Sequence, residues 1–345
     1  MAKKQGVLIF TAGALAILIL DSETAYYGAS QGIELCLTTV IPSLFPFLFM
    51  SSLLVGMFPK QPGSFLQRAT QHLGIPDGIC SYFLVGLIGG YPTGAACIAE
   101  GYRSGDLEKD TAERMLGFCN NAGPAFLFGI AGTFFSKKLS FVLWLVHILS
   151  AIFTFLLLPR KYQNISMQAK DTKDLSSSYV LLQAVKSMGA VCGWIVLFRV
   201  FIAFCDKWFL WLLPEVLQVT VYGILELSNG CCSLWLISSP AVRFLLFACF
   251  LSFGGLCVAM QTKTVAAPLS LHWYIVGKSL QCMISTILVG LLIPFLFPEE
   301  NTNPQLIFLL AVSAILIFAI ARCFQKKTVD FPSSVIYTKE KAVKR

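Results

Sequence analysis

The sequence predicts an all-α polytopic membrane protein, and three observations carry that expectation. Of 345 residues, 56% are hydrophobic and only 13% charged, about half the charge that an ordinary soluble surface carries. Mean hydropathy is +0.74. Several apolar runs reach the roughly 20 residues with which a helix crosses a bilayer, and they are continuous rather than alternating, the pattern of helices and not of a barrel. The net charge of +8 does not point to nucleic acid as a partner, because the basic residues sit in short loops and at the C-terminal end. Basic residues lie in such places where short cytoplasmic loops orient the helices.

Lys3-Lys4 followed by the apolar run 7–20 has the layout of a signal peptide or of a first membrane helix. No small-x-small cleavage site follows, and the reading adopted is an uncleaved helix within residues 1–30. The next apolar run, 35–58, contains Pro42 and Pro46, one helical turn apart. Two prolines at that spacing either kink a continuous helix or divide it into two halves. A polar, turn-rich stretch, 59–79, carries Lys60 and Arg68 and reads as cytoplasmic.

The run 81–99 is interrupted by Gly89-Gly90-Tyr91-Pro92-Thr93-Gly94-Ala95. Gly costs roughly 1 kcal/mol and Pro about 3 kcal/mol in a helix interior, whereas Pro suits the first turn of a new helix. One half-helix therefore ends near Ile88 and another starts near Pro92. In a membrane, the backbone groups freed by such a break are tolerated only where they line a cavity or are covered by protein. A charged loop, 100–114, follows. The span 115–135 contains Asn120-Asn121-Ala122-Gly123-Pro124, in which two adjacent amides demand hydrogen-bond partners. Residues 139–158 form a plain span.

The polar stretch 159–178 divides the chain into a first repeat, 31–158, and a second, 179–323, with a basic tail at 324–345. The second half has a span at 179–204, an apolar region 219–237 interrupted at Leu225-Glu226-Leu227-Ser228-Asn229-Gly230, and a segment 244–260 broken at Gly254-Gly255. Spans at 272–297 and 305–323 complete it. Interrupted segments at matching positions in two halves point to a transporter site, and the match made here pairs Gly89-Gly90 with Gly254-Gly255. The repeats are expected to be inverted, each with a re-entrant or broken helical hairpin. Charge preferences conflict on the orientation of the second repeat, because Arg322, Lys326 and Lys327 favour the cytoplasm while inversion moves Lys263 to the other face.

The candidate substrate-binding residues are Gly90, Pro92, Thr93, Gly94, Asn120, Asn121, Glu226, Asn229, Gly255 and Gln261. The half-helix beginning at Pro92 would turn the N–H groups of Thr93, Gly94 and Ala95 toward the midplane, where oriented donors attract an anion. Glu226 reads as a site for a coupling cation or proton, as a group orienting an uncharged part of the substrate, or as an interfacial residue in contact with water. Arg199, Lys263 and Lys278 either neutralise an anion or extend to the membrane surface. The twelve cysteines lie mostly in apolar segments without C-x-x-C spacing, and Cys231-Cys232 have no accompanying His, so they read as buried thiols rather than disulfides or metal ligands. His72, His147 and His272 are dispersed. With no nucleotide-binding run, zinc signature or nucleophile arrangement, no enzyme activity, metal or cofactor is expected.

The stretches Ile41-Pro42-Ser43-Leu44-Phe45-Pro46-Phe47, Gly89 to Ala95, and Cys119-Asn120-Asn121-Ala122-Gly123-Pro124-Ala125-Phe126 resemble the sporulation integral membrane proteins of the nucleoside-recognition (Gate) superfamily. The resemblance runs from about residue 31 to 322. Leu225-Glu226 with Asn229-Gly230, and Gly254-Gly255 with Gln261, are similar to that family's second-half elements. The resemblance implies an architecture like that of concentrative nucleoside transporters. For the sporulation members it implies movement of dipicolinate, an aromatic dicarboxylate, at the mother-cell-derived forespore membrane. The expected function is transport of a small organic anion across a cell or forespore membrane. The alternatives are a cation-coupled nucleoside transporter and a non-transporting structural or assembly protein. Lipid bilayer and substrate are the expected partners, and a homo-oligomer is compatible with the sequence.

Overall fold

The computed structural model describes residues 2–57, 77–158 and 177–300. Nearly all of the loop at 59–79, all but the end of the linker at 159–178, the last span at 305–323 and the tail at 324–345 lie outside these residues. Among the described residues, five helical runs are long and apolar enough to cross a membrane: Ser22–Met50, Lys137–Leu157, Ser177–Trp208, Pro240–Ala266 and His272–Leu296. The multi-pass all-α character read from composition is therefore the character of the fold.

Helix α1 (Ala2–Leu20) ends at Asp21, whose carboxylate caps α2 (Ser22–Leu35) by accepting the Thr24 N–H at 3.3 Å. Helix α2 thus runs straight through residue 30. It continues through a π-helical turn, Cys36–Val40, into α3 (Ile41–Met57). Pro42 accounts for this turn: its ring would collide with the carbonyl four residues earlier in a regular α-helix. Widening the turn lets the Ile41 N–H bond the Cys36 carbonyl instead, while the Ser43 hydroxyl donates to the Thr39 carbonyl at 2.6 Å. The two prolines therefore distort one continuous span and do not divide it.

Helices α2 and α9 (Ser177–Trp208) lie against each other along their length. The contact is made by Gly28 and Gly32, spaced as in small-residue membrane interfaces. A Cβ on Gly28 would stand 2.7 Å from Val200 Cα, and one on Gly32 would stand 2.9 Å from Val196 Cα. Beyond the glycines the pair is joined by polar contacts: Arg199, which also pairs with Asp206 on its own helix at 3.5 Å, donates to Gln31, and Lys207 pairs with Asp21 at 2.7 Å. Replacing Gly28 with Leu is expected to force these backbones apart at a cost of about 2 kcal/mol. A lowered unfolding temperature in detergent, with Ala29→Leu as the control, checks this.

Helices α4 (Asp77–Gly89) and α5 (Thr93–Arg103) fold back on each other as an antiparallel hairpin. A Cβ on Gly94 would lie 3.0 Å from Gly86 Cα, and one on Gly101 would lie 2.3 Å from the Tyr82 hydroxyl. Both contacts are impossible in one continuous helix. The turn is made by Gly90, with φ +71°, and by a cis Tyr91-Pro92 peptide. Helices α6 (Lys109–Cys119) and α7 (Pro124–Phe134) are interrupted by an extended link, with Asn120 at φ −116°, ψ 94°. They continue one another, since the single helix α8 (Lys137–Leu157) packs along both.

The second half also holds a hairpin and an interrupted run. Helix α10 (Glu215–Leu225) turns at Glu226 into α11 (Leu227–Cys232) and a 3₁₀ turn, Ser233–Leu236. A Cβ on Gly230 would lie only 2.2 Å from Gly223 Cα, so this too is a tight hairpin. Helices α12 (Pro240–Phe253) and α13 (Gly255–Ala266) then form one run interrupted by two left-handed glycines, Gly254 at φ 81° and Gly255 at φ 76°. Helix α14 (His272–Leu296) is unbroken. The sequence pairing of Gly89-Gly90 with Gly254-Gly255 is therefore corrected. The tight hairpin of the second half has its tip at Glu226, whereas Gly254-Gly255 interrupt a single run. Two adjacent glycines mark a backbone interruption, but only contacts between the flanking helices distinguish a fold-back from a break in a crossing.

The two halves interlock. Helix α6 packs on α14, where a Cβ on Gly277 would meet the Gly117 carbonyl at 2.3 Å, and α8 packs on both α12 and α14. Phe135 stands edge-on to Phe244 and Phe247 at centroid distances of 5.4 and 5.9 Å, extending the contact to α12.

Candidate functional site

Four backbone interruptions converge: the hairpin tips at 90–92 and Glu226, and the breaks at 120–123 and 254–255. A Cβ on Gly90 would stand 2.8 Å from Gly123 N, and one on Gly255 would stand 3.0 Å from the Gly223 carbonyl and 3.3 Å from Leu227 N. The Tyr91 hydroxyl donates to the Leu251 carbonyl at 3.3 Å and faces Gly254, which has no side chain to block it. Beside these tips lies a small cavity of about 30 Å³ that opens to the exterior. Its walls come from the π turn and α3 (Val40, Leu44), the first tip and the following break (Tyr91, Ala122, Gly123), α7 (Phe126) and α9 (Val191, Ile195). The second tip (Glu226, Leu227, Ser228) and α13 (Val258, Gln261) complete them.

Of the ten candidates, Glu226 and Gln261 line this cavity directly. Glu226 is 1% exposed, so it is not an interfacial residue in water. Its carboxylate caps α11, accepting the Ser228 N–H at 3.0 Å, the Asn229 N–H at 2.7 Å and the Asn229 side-chain amide at 2.8 Å. An acid suits this position because two unpaired helix N–H groups and the helix dipole both favour negative charge. Asn229 thus serves Glu226 rather than facing the cavity. Gln261 donates to Cys257 Sγ at 3.3 Å. Gly255 fills the space between α10 and the start of α11.

At the first tip the anion-binding expectation is altered. The Ala95 N–H donates to the Asn120 side chain at 3.2 Å and the Gly94 N–H to the Gly90 carbonyl at 3.4 Å. These donors are engaged within the protein. Gly94 packs against the Cys119 carbonyl, which a Cβ there would approach to 2.2 Å, and Pro92 is the buried N-cap residue of α5. Only the Thr93 hydroxyl among these groups is buried without a hydrogen-bond partner in the described residues.

Asn120 and Asn121 are fully buried and belong to a polar network behind the cavity wall. Asn120 donates to Thr262 at 2.9 Å, tying the first-half break to α13. Asn121 donates to the Phe118 carbonyl at 2.6 Å and accepts from Lys278 Nζ at 2.9 Å. Lys278 also donates to Gln281 at 2.7 Å, and its ammonium sits 5.5 Å from the centroid of the Tyr91 ring. The Ala122 N–H donates to His147 Nε2 at 3.3 Å, and Gln281 donates to the His147 carbonyl at 3.4 Å. The break at 120–123 is thus met by side chains from α8 (His147), α13 (Thr262) and α14 (Lys278), and by the backbone of Ala95 and Phe118.

Tyr91 and His147 were absent from the sequence candidates, and Lys278 stood only among three cations weighed for neutralising an anion. The signal for Lys278 was present: it is the lone charge between His272 and Phe297 in an apolar run, with Gln281 one turn on. Tyr91 and His147 gave none, since an aromatic in a turn and an isolated histidine are commonplace. Arg199 is engaged at the α2–α9 contact, and Lys263 donates to the Leu269 carbonyl at 2.8 Å on an exposed face. Of the three cations considered, only Lys278 adjoins the site. The eleven described cysteines are free thiols.

No family model matches the chain, and no solved structure matches it. Among curated proteins, it is similar to a sporulation integral membrane protein, YlbJ, of Bacillus subtilis (strain 168). The identity is 27% over 127 residues, covering 36% of this chain and 31% of the relative. The match thus spans about a third of the relative's length.

Proposed function

We propose that this protein transports a small organic anion across the membrane, with an aromatic dicarboxylate such as dipicolinate as the substrate. The observation that carries the reading is the convergence of four interrupted backbone segments beside one cavity, with a buried lysine immediately behind its wall. Interrupted helices at mid-depth are costly for a protein that only spans the membrane, and they recur where transporters bind their cargo. The order hairpin, broken span, unbroken span occurs as α4–α5, α6–α7, α8 and again as α10–α11, α12–α13, α14, which supports two structural repeats moving against each other. The similarity to a sporulation membrane protein supports placing the activity in the membranes of a sporulating cell.

A cation-coupled nucleoside carrier is the second reading, favoured by the carboxylate of Glu226 and the amide of Gln261 on the cavity wall. Purified protein in liposomes, offered dipicolinate, a nucleoside or buffer, separates the two. Saturable dipicolinate flux that falls at least tenfold in Gly94→Leu is the expected result. Saturable nucleoside flux alone would move the assignment to the second reading. No saturable flux of either solute, with Gly94→Leu indistinguishable from the parent, would leave the structural or assembly role.

A further inference from the structure

We propose that Lys278 is the charge that receives the anion and that Tyr91 is the gate separating it from the cavity. The inference rests on the organic-anion reading above and names the residues that would execute it.

Lys278 is 1% exposed, yet among the described residues no carboxylate pairs with it. Its two hydrogen-bond partners, Asn121 and Gln281, are neutral amides, and the remaining side of the ammonium faces the π-cloud of Tyr91. Amide oxygens and an aromatic face solvate a cation but do not neutralise it. A buried positive charge held this way is an incomplete pair, and an incoming carboxylate supplies the missing member. The acid nearest in function, Glu226, is occupied in capping α11.

Tyr91 stands between the two compartments. Tyr91 lines the cavity, and its ring also meets the Lys278 ammonium, which lies outside the lining. Its hydroxyl is held by a single 3.3 Å hydrogen bond to the Leu251 carbonyl, on the other half of the molecule. Gly254 leaves room beside that hydroxyl, where a Cβ would stand 3.1 Å away. Separation of the first hairpin tip from the α12–α13 break therefore releases the ring and opens the lysine to the cavity. The network behind the lysine holds one more unfilled position. His147 Nε2 accepts the Ala122 N–H, so the neutral ring carries its proton on Nδ1, which is buried without a partner in the described residues.

The test uses full-length protein in liposomes, with pyridine-2,6-dicarboxylate and its neutral isostere pyridine-2,6-dicarboxamide as probes. Lys278→Gln is expected to lose dicarboxylate flux at least tenfold while leaving dicarboxamide flux within twofold of the parent, and Lys278→Arg to restore part of the loss. Tyr91→Phe, which removes the hydroxyl and little else, is expected to raise the initial dicarboxylate rate about threefold. Equal losses for both probes in Lys278→Gln would make the lysine a structural element and overturn the inference. An unchanged rate in Tyr91→Phe would overturn the gate, and it decides the matter alone if Lys278→Gln does not fold. A parent protein that moves neither probe overturns the anion reading itself, whereas a parent that moves the dicarboxylate as well as Lys278→Gln does overturns only the role of the lysine.

Discussion

Gly86→Ala is expected to dismantle the first hairpin's seat. A Cβ at Gly86 would stand 1.6 Å from the Cys119 carbonyl oxygen, and one at Gly94 would stand 2.2 Å from the same atom. The two arms of the hairpin thus present Cα–H groups to one carbonyl at the end of α6. That carbonyl is available because the helix stops there: the N–H four residues on belongs to Gly123, beyond the break. A methyl group at either position collides with backbone, which cannot rotate away as a side chain would. Overpacking of a well-packed interior commonly costs about 1–3 kcal/mol, and a collision with fixed backbone belongs at or above the top of that range. The unfolding temperature in detergent should fall sharply, and protease should cleave the 90–105 region of the variant while the parent resists. Leu87→Ala, one residue on, creates no collision and serves as the comparison.

Glu226→Ala should be nearly as damaging, for an electrostatic reason. Its carboxylate accepts three hydrogen bonds at the start of α11 from a position that is 1% exposed. Truncation leaves two backbone N–H groups without an acceptor, and each unsatisfied buried group costs about 1–3 kcal/mol. Glu226→Gln keeps one acceptor oxygen but turns the other into an NH₂ group that faces a donor, so its loss is expected to be roughly half as large. Stability should fall in the order parent, Gln, Ala, with amide exchange at residues 228–230 rising in the same order. If the glutamine variant is as stable as the parent, the capping role is not the reason for the acid. A folded glutamine variant whose flux has lost its dependence on sodium or proton gradient would assign coupling to this carboxylate.

The breaks were legible because their residue types are costly in a helix. Gly-Gly-x-Pro, Asn-Asn-x-Gly-Pro and Gly-Gly each stand out against apolar surroundings, and the structure interrupts the helix at all three. Pro42 and Pro46 stand out equally, yet the chain absorbs Pro42 in a π turn and Pro46 within α3. Local chemistry announces that the hydrogen-bond ladder is disturbed. It does not say whether the disturbance ends the helix, because that depends on what covers the freed groups. At Pro42 the adjacent Ser43 hydroxyl suffices, whereas at 120–123 partners arrive from α5, α8, α13 and α14.

The amides of Asn120 and Asn121 were recognised as needing partners, but Thr262, Lys278 and the N–H of Ala95 lie far away in sequence or across the hairpin. Lys278 was weighed against extension to the membrane surface, as the length of its side chain allows. The close approach of α6 and α14 at Gly117 and Gly277 draws it inward instead, one residue from the contact.

By itself, then, the sequence determined the class of the protein, its membrane residence and the places where helices are interrupted, because hydropathy and the cost of Gly and Pro are properties of short segments. Which interruption is a hairpin tip and which a gap in a crossing was decided only by tertiary structure. So was the burial of Lys278 behind Tyr91. Both depend on glycine-to-backbone contacts between helices far apart in the chain, and the hydropathy of a single segment carries no record of its neighbour.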